Sequence, residues 1–172
     1  DDLTIECSDN LDPYANGELG IPTVTDNCSE VTDLTVTYTD NDDANDNCAN
    51  GDENFIIRTW RVVDECGNEN TCEQRIVILD TTVPEVVCPP ATVTVECDGS
   101  TDPDDTGRPT ATDNCTDVAD ILIEYADVVT QSPDCINERT ITRTWTITDA
   151  CNNFVNCTQT ITVEDSTVPE IT

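Results

Sequence analysis

An internal repeat constrains this sequence more than any other feature. The stretch IIRTWRVVDECGNENTCEQRIVILDTTVPE, residues 56–85, returns as ITRTWTITDACNNFVNCTQTITVEDSTVPE, residues 141–170. The shared tryptophans, cysteines and prolines keep one offset, which for Trp60 and Trp145 is 145 − 60 = 85 positions. A fixed offset over so many residues indicates two tandem copies of one folding unit. The question of function therefore becomes what one copy does and what a string of copies does.

The period of the repeat sets the expected domain boundaries. A chain of 172 residues with this period suits two small domains of about 85 residues each. We predict a first repeat over residues 1–82 that lacks its first strand, and a second repeat over residues 83–165. Residues 166–172 are then a linker and the start of the first strand of a following repeat. The sequence is expected to be a window cut from a longer tandem array.

Apolar and polar residues alternate along most of the chain, which is the period of a β-strand, and no segment has a persuasive helical period. In the second copy the expected strands cover residues 86–87, 93–97, 109–112, 121–126, 140–148 and 156–164. Short strands at this spacing, with turns rich in Asp, Asn, Gly and Pro, indicate a sandwich. The predicted fold is all-β, with two tandem disulfide-rich immunoglobulin-like antiparallel β-sandwich domains.

The alternation also assigns the faces of the long strand in each copy. Trp145 shares a side with Ile141 and Ile147, and this side is expected to face the core. Arg143, like Arg58 in the first copy, falls in phase with the tryptophan. We therefore expect each arginine to lie over the ring or to reach a carboxylate at the edge of the sandwich. The threonines on the opposite side are expected to be solvated.

The composition places the chain in an oxidising setting and excludes several partners. Eleven cysteines in a short chain, without His or CxxC pairs, indicate a disulfide framework and an extracellular, secreted or cell-surface location. The net charge of −31 would repel nucleic acid and anionic lipid, so neither is expected as a partner. Hard cations such as Ca²⁺ would be attracted. No apolar run is long enough to insert into a membrane.

Three segments resemble a known family. They are VPEVVCPP (residues 83–90), PTATDNC (residues 109–115, with PTVTDNC at residues 22–28) and RTWTITDACNNFVNCTQTITVED (residues 143–165). Their combination resembles the HYR-like, immunoglobulin-type tandem repeats of large secreted or surface proteins, the adhesins of Bacteroidota in particular. The resemblance implies a seven-stranded sandwich, an extracellular address and a structural or adhesive role. The acidic insert at residues 40–54 of the first copy has no counterpart in the second.

The topology of such a sandwich predicts how the cysteines pair. The expected bonds are Cys88–Cys157, Cys115–Cys151 and Cys97–Cys135 in the second copy, and Cys28–Cys66 and Cys7–Cys48 in the first. Cys72 is left for a cysteine outside the chain window. A rival scheme, Cys97–Cys115 with Cys135–Cys151, stays open, because six cysteines allow 15 pairings.

The same topology predicts a calcium site where loops meet at a domain junction. The expected ligands in and before the second copy are Asp80, Asp113, Asn114, Asp149 and Asn152. Their counterparts in the first copy are Asp26, Asn27, Asp64 and Asn68. Oxygen ligands from several segments suit Ca²⁺, which accepts six to eight of them. The alternative is that these residues cap their own backbone turns.

The acidic insert at residues 40–54 fails as an EF-hand loop, because position three is Cys48 and position twelve is Ile57.

Other site types have less support in the sequence. Thr81 and Ser166 match a short O-glycosylation motif, and Asn27, Asn114 and Asn156 open N-glycosylation sequons. Catalysis is not expected, because the chain has neither His nor Lys and its cysteines are assigned to bridges.

The expected function is a structural or adhesive extracellular repeat module in a surface fibre, stalk or adhesin, stiffened by disulfides and by Ca²⁺ at domain junctions. Its expected partners are neighbouring copies of the same repeat or chain, and surface glycans or other cell-surface material. One alternative is a filament subunit that polymerises by strand addition through its C-terminal tail. Another is an accessory carbohydrate-binding module of a secreted enzyme.

Overall fold

The chain folds as two units, Asp1–Thr81 and Thr82–Thr172. The structure, a computed structural model, describes residues 3–15, 19–41, 54–133 and 137–171. The first unit contains a four-stranded sheet in the order β1-β4-β3-β2 and a short 3-10 helix at Val31–Asp33. Its strands are β1 (Leu3–Glu6), β2 (Thr35–Asn41), β3 (Asn54–Val63) and β4 (Glu69–Leu79). Most of the acidic insert, including Cys48, lies outside the described residues.

The second unit is a sandwich of two sheets. Its larger sheet has the order β6-β10-β9-β8, and β5 pairs with β7 in a smaller one. The strands are β5 (Glu85–Val87), β6 (Thr92–Glu96), β7 (Thr110–Thr112), β8 (Leu122–Gln131), β9 (Arg139–Thr148) and β10 (Phe154–Glu164). One turn of helix, α1 (Pro103–Thr106), lies between β6 and β7.

The predicted all-β, immunoglobulin-like sandwich fold is confirmed, except that its strands are not all antiparallel as predicted. The long ladders β8–β9 and β9–β10 are antiparallel, whereas β6 runs parallel to β10 and β1 runs parallel to β4. In the second unit the chain passes from the small sheet to the large one through Cys88, Pro89 and Pro90. Because proline lacks an N–H, a strand ladder ends there and the chain can change sheets.

The core of the second unit lies on the predicted face of β9. Ile141, Trp145 and Ile147 are buried, and the threonines between them are half-buried or exposed. Ala111 of β7 and Cys157 of β10 pack against this face. The first unit has its own cluster, formed by Ile5, Leu19, Ile56 and Ile76. Each unit therefore buries its own apolar residues.

Both arginines that were predicted beside a tryptophan lie there and also reach a carboxylate. The Arg143 guanidinium carbon is 4.5 Å from the centre of the Tyr125 ring and 5.7 Å from that of Trp145, and Nε donates to Asp127 at 2.8 Å. Arg58 makes the equivalent contacts with Tyr38, Trp60 and Asp40. The Asp127 hydrogen bond raises the pKa of Arg143, so this buried cation stays charged.

Candidate functional site

Two loops meet at one end of the second unit, and each is closed by an aspartate. Asp113 Oδ1 accepts hydrogen bonds from the backbone N–H groups of Cys115 and Thr116, both at 2.9 Å. Asp149 Oδ1 accepts from Cys151 N and Asn153 N, both at 2.8 Å. The Ala150 N–H donates to the buried Thr116 hydroxyl at 3.2 Å, which joins the two loops.

The joined loops bring two carboxylates together. Asp113 and Asp149 each offer an oxygen within 4.8 Å of the other's. Oδ2 of Asp113 is buried and has no hydrogen-bond partner among the described residues. Asp113 also borders a cleft of about 280 Å³ that is lined by Thr82, Val83, Glu85, Thr112, Asp113 and Asn114. Two close carboxylates, one of them with an oxygen to spare, have the chemistry of a hard-cation site.

The donor set therefore fits Ca²⁺ in its chemistry. Asp113 would supply Oδ2, and Asp149 would supply Oδ2, which accepts from the Asn153 side chain at 2.8 Å. Asn114 would add its side-chain Oδ1. Its Nδ2 already donates to Cys115 Sγ at 2.9 Å, so the amide oxygen is the atom that would bind a cation. Asp80 directly follows β4 and belongs to the first unit. Its place in the site stays a prediction, as do the roles of the other residues.

The first unit repeats the two-aspartate arrangement. Asp26 Oδ1 accepts from Cys28 N and Ser29 N, and Asp64 Oδ1 accepts from Asn68 N, all at 2.8 Å. Both aspartates line a cleft of about 220 Å³. The Asn68 side-chain amide lowers the pKa of Asp64, and backbone N–H groups lower that of Asp26. The proximity of Asp26 opposes this shift at Asp64, as expected for neighbouring anions.

The structure corrects one correspondence between the copies. Asn68 does not correspond to Asn152 as predicted, because the residue that bonds to Asp149 is Asn153, through both its backbone and its side chain. Asn152 has φ 69°, and Gly67 in the first copy has φ 86°. Asn and Gly are the residues that tolerate this left-handed conformation, so Asn152 is the turn residue. Asn27 is exposed within the Asp26 turn.

The cysteines of the second unit clamp its first strand. Cys88 and Cys157 form a disulfide with their Cα atoms 5.9 Å apart, which is the predicted pairing. The bond joins the end of β5 to β10 and encloses most of the unit. Cys115 and Cys151 are also disulfide-bonded, as is Cys7 of the first unit. That Cys115 and Cys151 bond to each other stays a prediction.

Two of the predicted disulfides are absent. Cys28 and Cys66 are exposed free thiols, which contradicts the Cys28–Cys66 bond. Asp26 closes the turn that contains Cys28, and Asp64 closes the turn that contains Cys66. Asp26 is exposed, whereas its counterpart Asp113 in the second unit is half-buried. The second-unit turns are closed in the same way and their cysteines are disulfide-bonded, so the difference between the units lies in the greater exposure of the first-unit turns.

Cys97 is also a free thiol, against its predicted bond to Cys135 and against the rival bond to Cys115. Desolvation and the nearby carboxylates of Asp165 and Asp98 raise the pKa of Cys97, which keeps it in the unreactive thiol form. Cys135 and Cys48 lie outside the described residues. Cys72 is free and exposed.

In each unit, a glutamate at the end of an edge strand accepts hydrogen bonds from a residue just after the last strand. The sequence alone did not predict this contact. Glu6 accepts hydrogen bonds from the hydroxyl and the N–H of Thr81, and Glu96 accepts the same pair from Ser166. These bonds lower the pKa of Glu96. Aligned glutamates in the segments LTIEC and VTVEC were the available signal. The predicted O-glycosylation of Thr81 and Ser166 would have to compete with these bonds, and it stays a prediction.

Comparison with known proteins finds one family match and several similar solved structures. Residues 85–163 match the family described as "HYR-like domain with 4 cysteines". Solved structures found similar include the human desmocollin-1 ectodomain, at 13% identity, TM-score 0.34, and coverage of 67% of this chain and 28% of that one. Another is the EC1-2 region of human mucin-like protocadherin, at 11% identity, TM-score 0.37, and coverage of 95% of both chains. The curated protein sequences contain no significant match.

The family match lies within the second unit, which is therefore similar to an HYR-like domain. The chain spans 28% of the length of the desmocollin-1 chain. Among the residues that the structure describes, no helix is long and apolar enough to cross a membrane.

Proposed function

We propose that this chain is a load-bearing segment of a secreted surface fibre, stalk or adhesin, as in the Bacteroidota proteins that it resembles. The observation that carries the proposal is the clamp between Cys88 and Cys157, whose sequence separation is 69 residues. The covalent loop includes every strand of the unit from β6 to β9. Because of this disulfide, the unit cannot extend to its full chain length even when it unfolds under force. Limited extension is useful in a fibre under tension and unnecessary in a free-standing binding module.

Stretching single molecules in the presence and absence of a reductant tests the load-bearing role. With the disulfides intact, unfolding of the second unit should extend only the residues outside the Cys88–Cys157 loop. Full reduction should free 69 further residues and add about 24 nm per unit, since an extended chain spans about 3.5 Å per residue. Equal extensions before and after reduction would contradict the proposal, as would gradual lengthening without a discrete unfolding event.

Calcium at the domain junction is the second part of the proposal. The loops around Asp113 and Asp149 are anionic, and Asp80 precedes in sequence the short segment that joins the two units. A divalent cation there would neutralise the repulsion and stiffen the linker, for which Asp80 and Asn114 are further ligands. The support comes from the two carboxylates within 4.8 Å and from the buried Asp113 Oδ2 that has no hydrogen-bond partner among the described residues. Extracellular modules bind Ca²⁺ with Kd of about 0.1–1 mM, so the cation need not bind tightly.

Calcium titration checks this prediction. Ca²⁺ up to ~10 mM should release or absorb heat with a saturable isotherm in this Kd range and should raise the melting temperature. The Asp113→Asn variant should lose both effects, because the amide keeps the turn-closing oxygen and removes the charge. Asp120→Asn, the same change on an exposed loop residue, is the control and should bind like the original chain. Absence of heat and of a melting shift in the unchanged protein would rule out the site.

Carbohydrate binding is less well supported. Trp60 and Trp145 are the only tryptophans of the chain and are 3% and 0% exposed, so neither offers a stacking platform to a sugar. Neighbouring copies of the repeat therefore remain the proposed partners in preference to glycans.

A further inference from the structure

Arg139 differs from the other arginines of this chain in its surroundings. It is the first residue of β9, is half-buried, and makes no hydrogen bond or ion pair with any residue that the structure describes. Each of the other five contacts a carboxylate or an aromatic ring; they are Arg58, Arg61, Arg75, Arg108 and Arg143. In a chain with 37 acidic residues, Arg139 therefore keeps its guanidinium donors for a group from outside the chain.

Arg139 borders a cleft of about 350 Å³ in the second unit. Its register partners on the two sides are Gln131 of β8 and Val163 of β10, which border the same cleft. The cleft lies where β9 begins, at the opposite end of the sheet from Asp149, which follows β9. Its volume is within the ~300–1,000 Å³ that small-ligand clefts have. The cleft is therefore separate from the loops described above and large enough to hold a ligand.

The lining of the cleft contains charges of both signs. Glu138 and Glu164 border it together with Arg139. Neutral hydrogen-bonding groups come from Gln131, Ser132 and three threonines. A ligand that is anionic throughout would meet two carboxylates here, and like charges at short range repel each other. The lining therefore suits a ligand that has one anionic group surrounded by hydroxyls.

A hexuronic acid has this distribution of groups. Its carboxylate can accept two parallel N–H bonds from the Arg139 guanidinium, which is the arrangement that arginine favours. Its hydroxyls can donate to the carboxylates of Glu138 and Glu164 and can exchange hydrogen bonds with the threonine hydroxyls. An acidic peptide would bring several negative charges and few hydroxyls. The chemistry of the cleft thus favours an acidic sugar over an acidic peptide.

We propose that this cleft binds one hexuronate unit of an acidic polysaccharide. Recognition depends on charge and on hydroxyl groups, so it needs no tryptophan platform. The net charge of −31 opposes a polyanion only at short range, because the screening length is ~8 Å at physiological ionic strength. The first copy has Asn54 at the corresponding position, since 139 − 85 = 54, so one site per chain is expected. The proposal adds a ligand to the load-bearing role and does not depend on it.

Binding of an end-labelled tetragalacturonate to the full chain, followed by fluorescence anisotropy, tests the proposal. EDTA is present throughout, so that Ca²⁺ cannot link the anionic sugar to the loop that contains Asp113. We expect saturable binding at one site per chain, weakened at least about tenfold by Arg139→Gln, because a charge-assisted contact is lost. Arg108→Gln is the matched control and should bind like the original chain, since it removes the same charge from an exposed arginine outside the cleft.

Glu138→Ala separates recognition of hydroxyls from attraction of any anion. Loss of this carboxylate should weaken binding about threefold if it accepts from the sugar, whereas attraction of any anion would become stronger. The methyl ester of tetragalacturonate should compete at least about tenfold more weakly than the acid. Competition by free galacturonic acid would show that a single sugar suffices, and competition by the oligomer alone would show that flanking units contribute. Both of these outcomes support the site.

Four results would overturn the inference. They are no saturable binding by the unchanged chain, equal losses in Arg139→Gln and Arg108→Gln, tighter binding in Glu138→Ala, and stronger competition by tetra-aspartate than by tetragalacturonate. The last result would assign the cleft to acidic peptides. An unchanged melting temperature should show that the second unit stays folded in each variant. The stretching and calcium experiments contain no sugar, so failure here is distinguishable from failure of the proposed function.

Discussion

Replacement of Trp145 by alanine is expected to lower the free energy of unfolding of the second unit by about 3–5 kcal/mol. The Trp145 side chain is fully buried and packs against Tyr125, with the two ring centres 5.1 Å apart. Its indole N–H has no hydrogen-bond partner among the described residues, so the loss is one of packing. A unit of this length has roughly 5–14 kcal/mol of stability in total, so a large share of it would be removed.

Urea denaturation followed by far-ultraviolet circular dichroism measures this effect. The transition of the second unit should move to lower urea while that of the first unit stays in place. Phe154→Ala is the matched control, because this aromatic ring at the start of β10 is 58% exposed and little packing is lost with it. A change below about 1 kcal/mol for Trp145→Ala would mean that the ring is not the centre of the core.

Loss of the Cys88–Cys157 disulfide should have an effect of similar size. The double variant Cys88→Ser/Cys157→Ser is expected to lose about 4 kcal/mol, because the bond closes a loop of about 70 residues in the unfolded chain. Without it, the contacts that hold β5 among the described residues are three residue pairs with β7 and the packing of Val86 on the core. The melting temperature of the second unit, measured by calorimetry, should fall accordingly.

The first unit supplies the control for this experiment. Cys28→Ser/Cys66→Ser removes two cysteines from exposed turns whose thiols are free, so stability should change by less than about 0.5 kcal/mol. If this control were destabilised as strongly as the Cys88–Cys157 variant, the two thiols would be bonded to each other under oxidising conditions. The original Cys28–Cys66 prediction would then be restored.

Period and offset were enough to predict most of the fold. The alternation in residues 140–148 placed Trp145 in the core and Arg143 beside it, and β9 at Arg139–Thr148 has both there. These predictions succeed because strand side chains alternate strictly, and a repeated pattern removes the ambiguity of a single copy. The clamp of Cys88 to Cys157 followed from the same topology.

The details of the turns were less predictable. Asn152 and Asn153 are adjacent residues of one type, and only the backbone conformation distinguishes the turn residue from the one that bonds to Asp149. The hydrogen bonds that Thr81 donates to Glu6 and Ser166 donates to Glu96 link residues 70–75 positions apart. Such contacts depend on the parallel strand at the edge of the sheet, which alternation alone does not reveal. Thiol pairing likewise depends on how deeply each loop is buried.

That parallel edge strand also determines how the first unit would respond to tension. In β1 and β4, residues 3–6 run alongside residues 76–79 in the same direction, so the chain enters at one end of this ladder and leaves at the other. A pull on the two ends loads the hydrogen bonds in shear, and they must break together rather than one after another from an open end. The first unit should therefore resist stretching through its backbone ladder, before any disulfide comes under load.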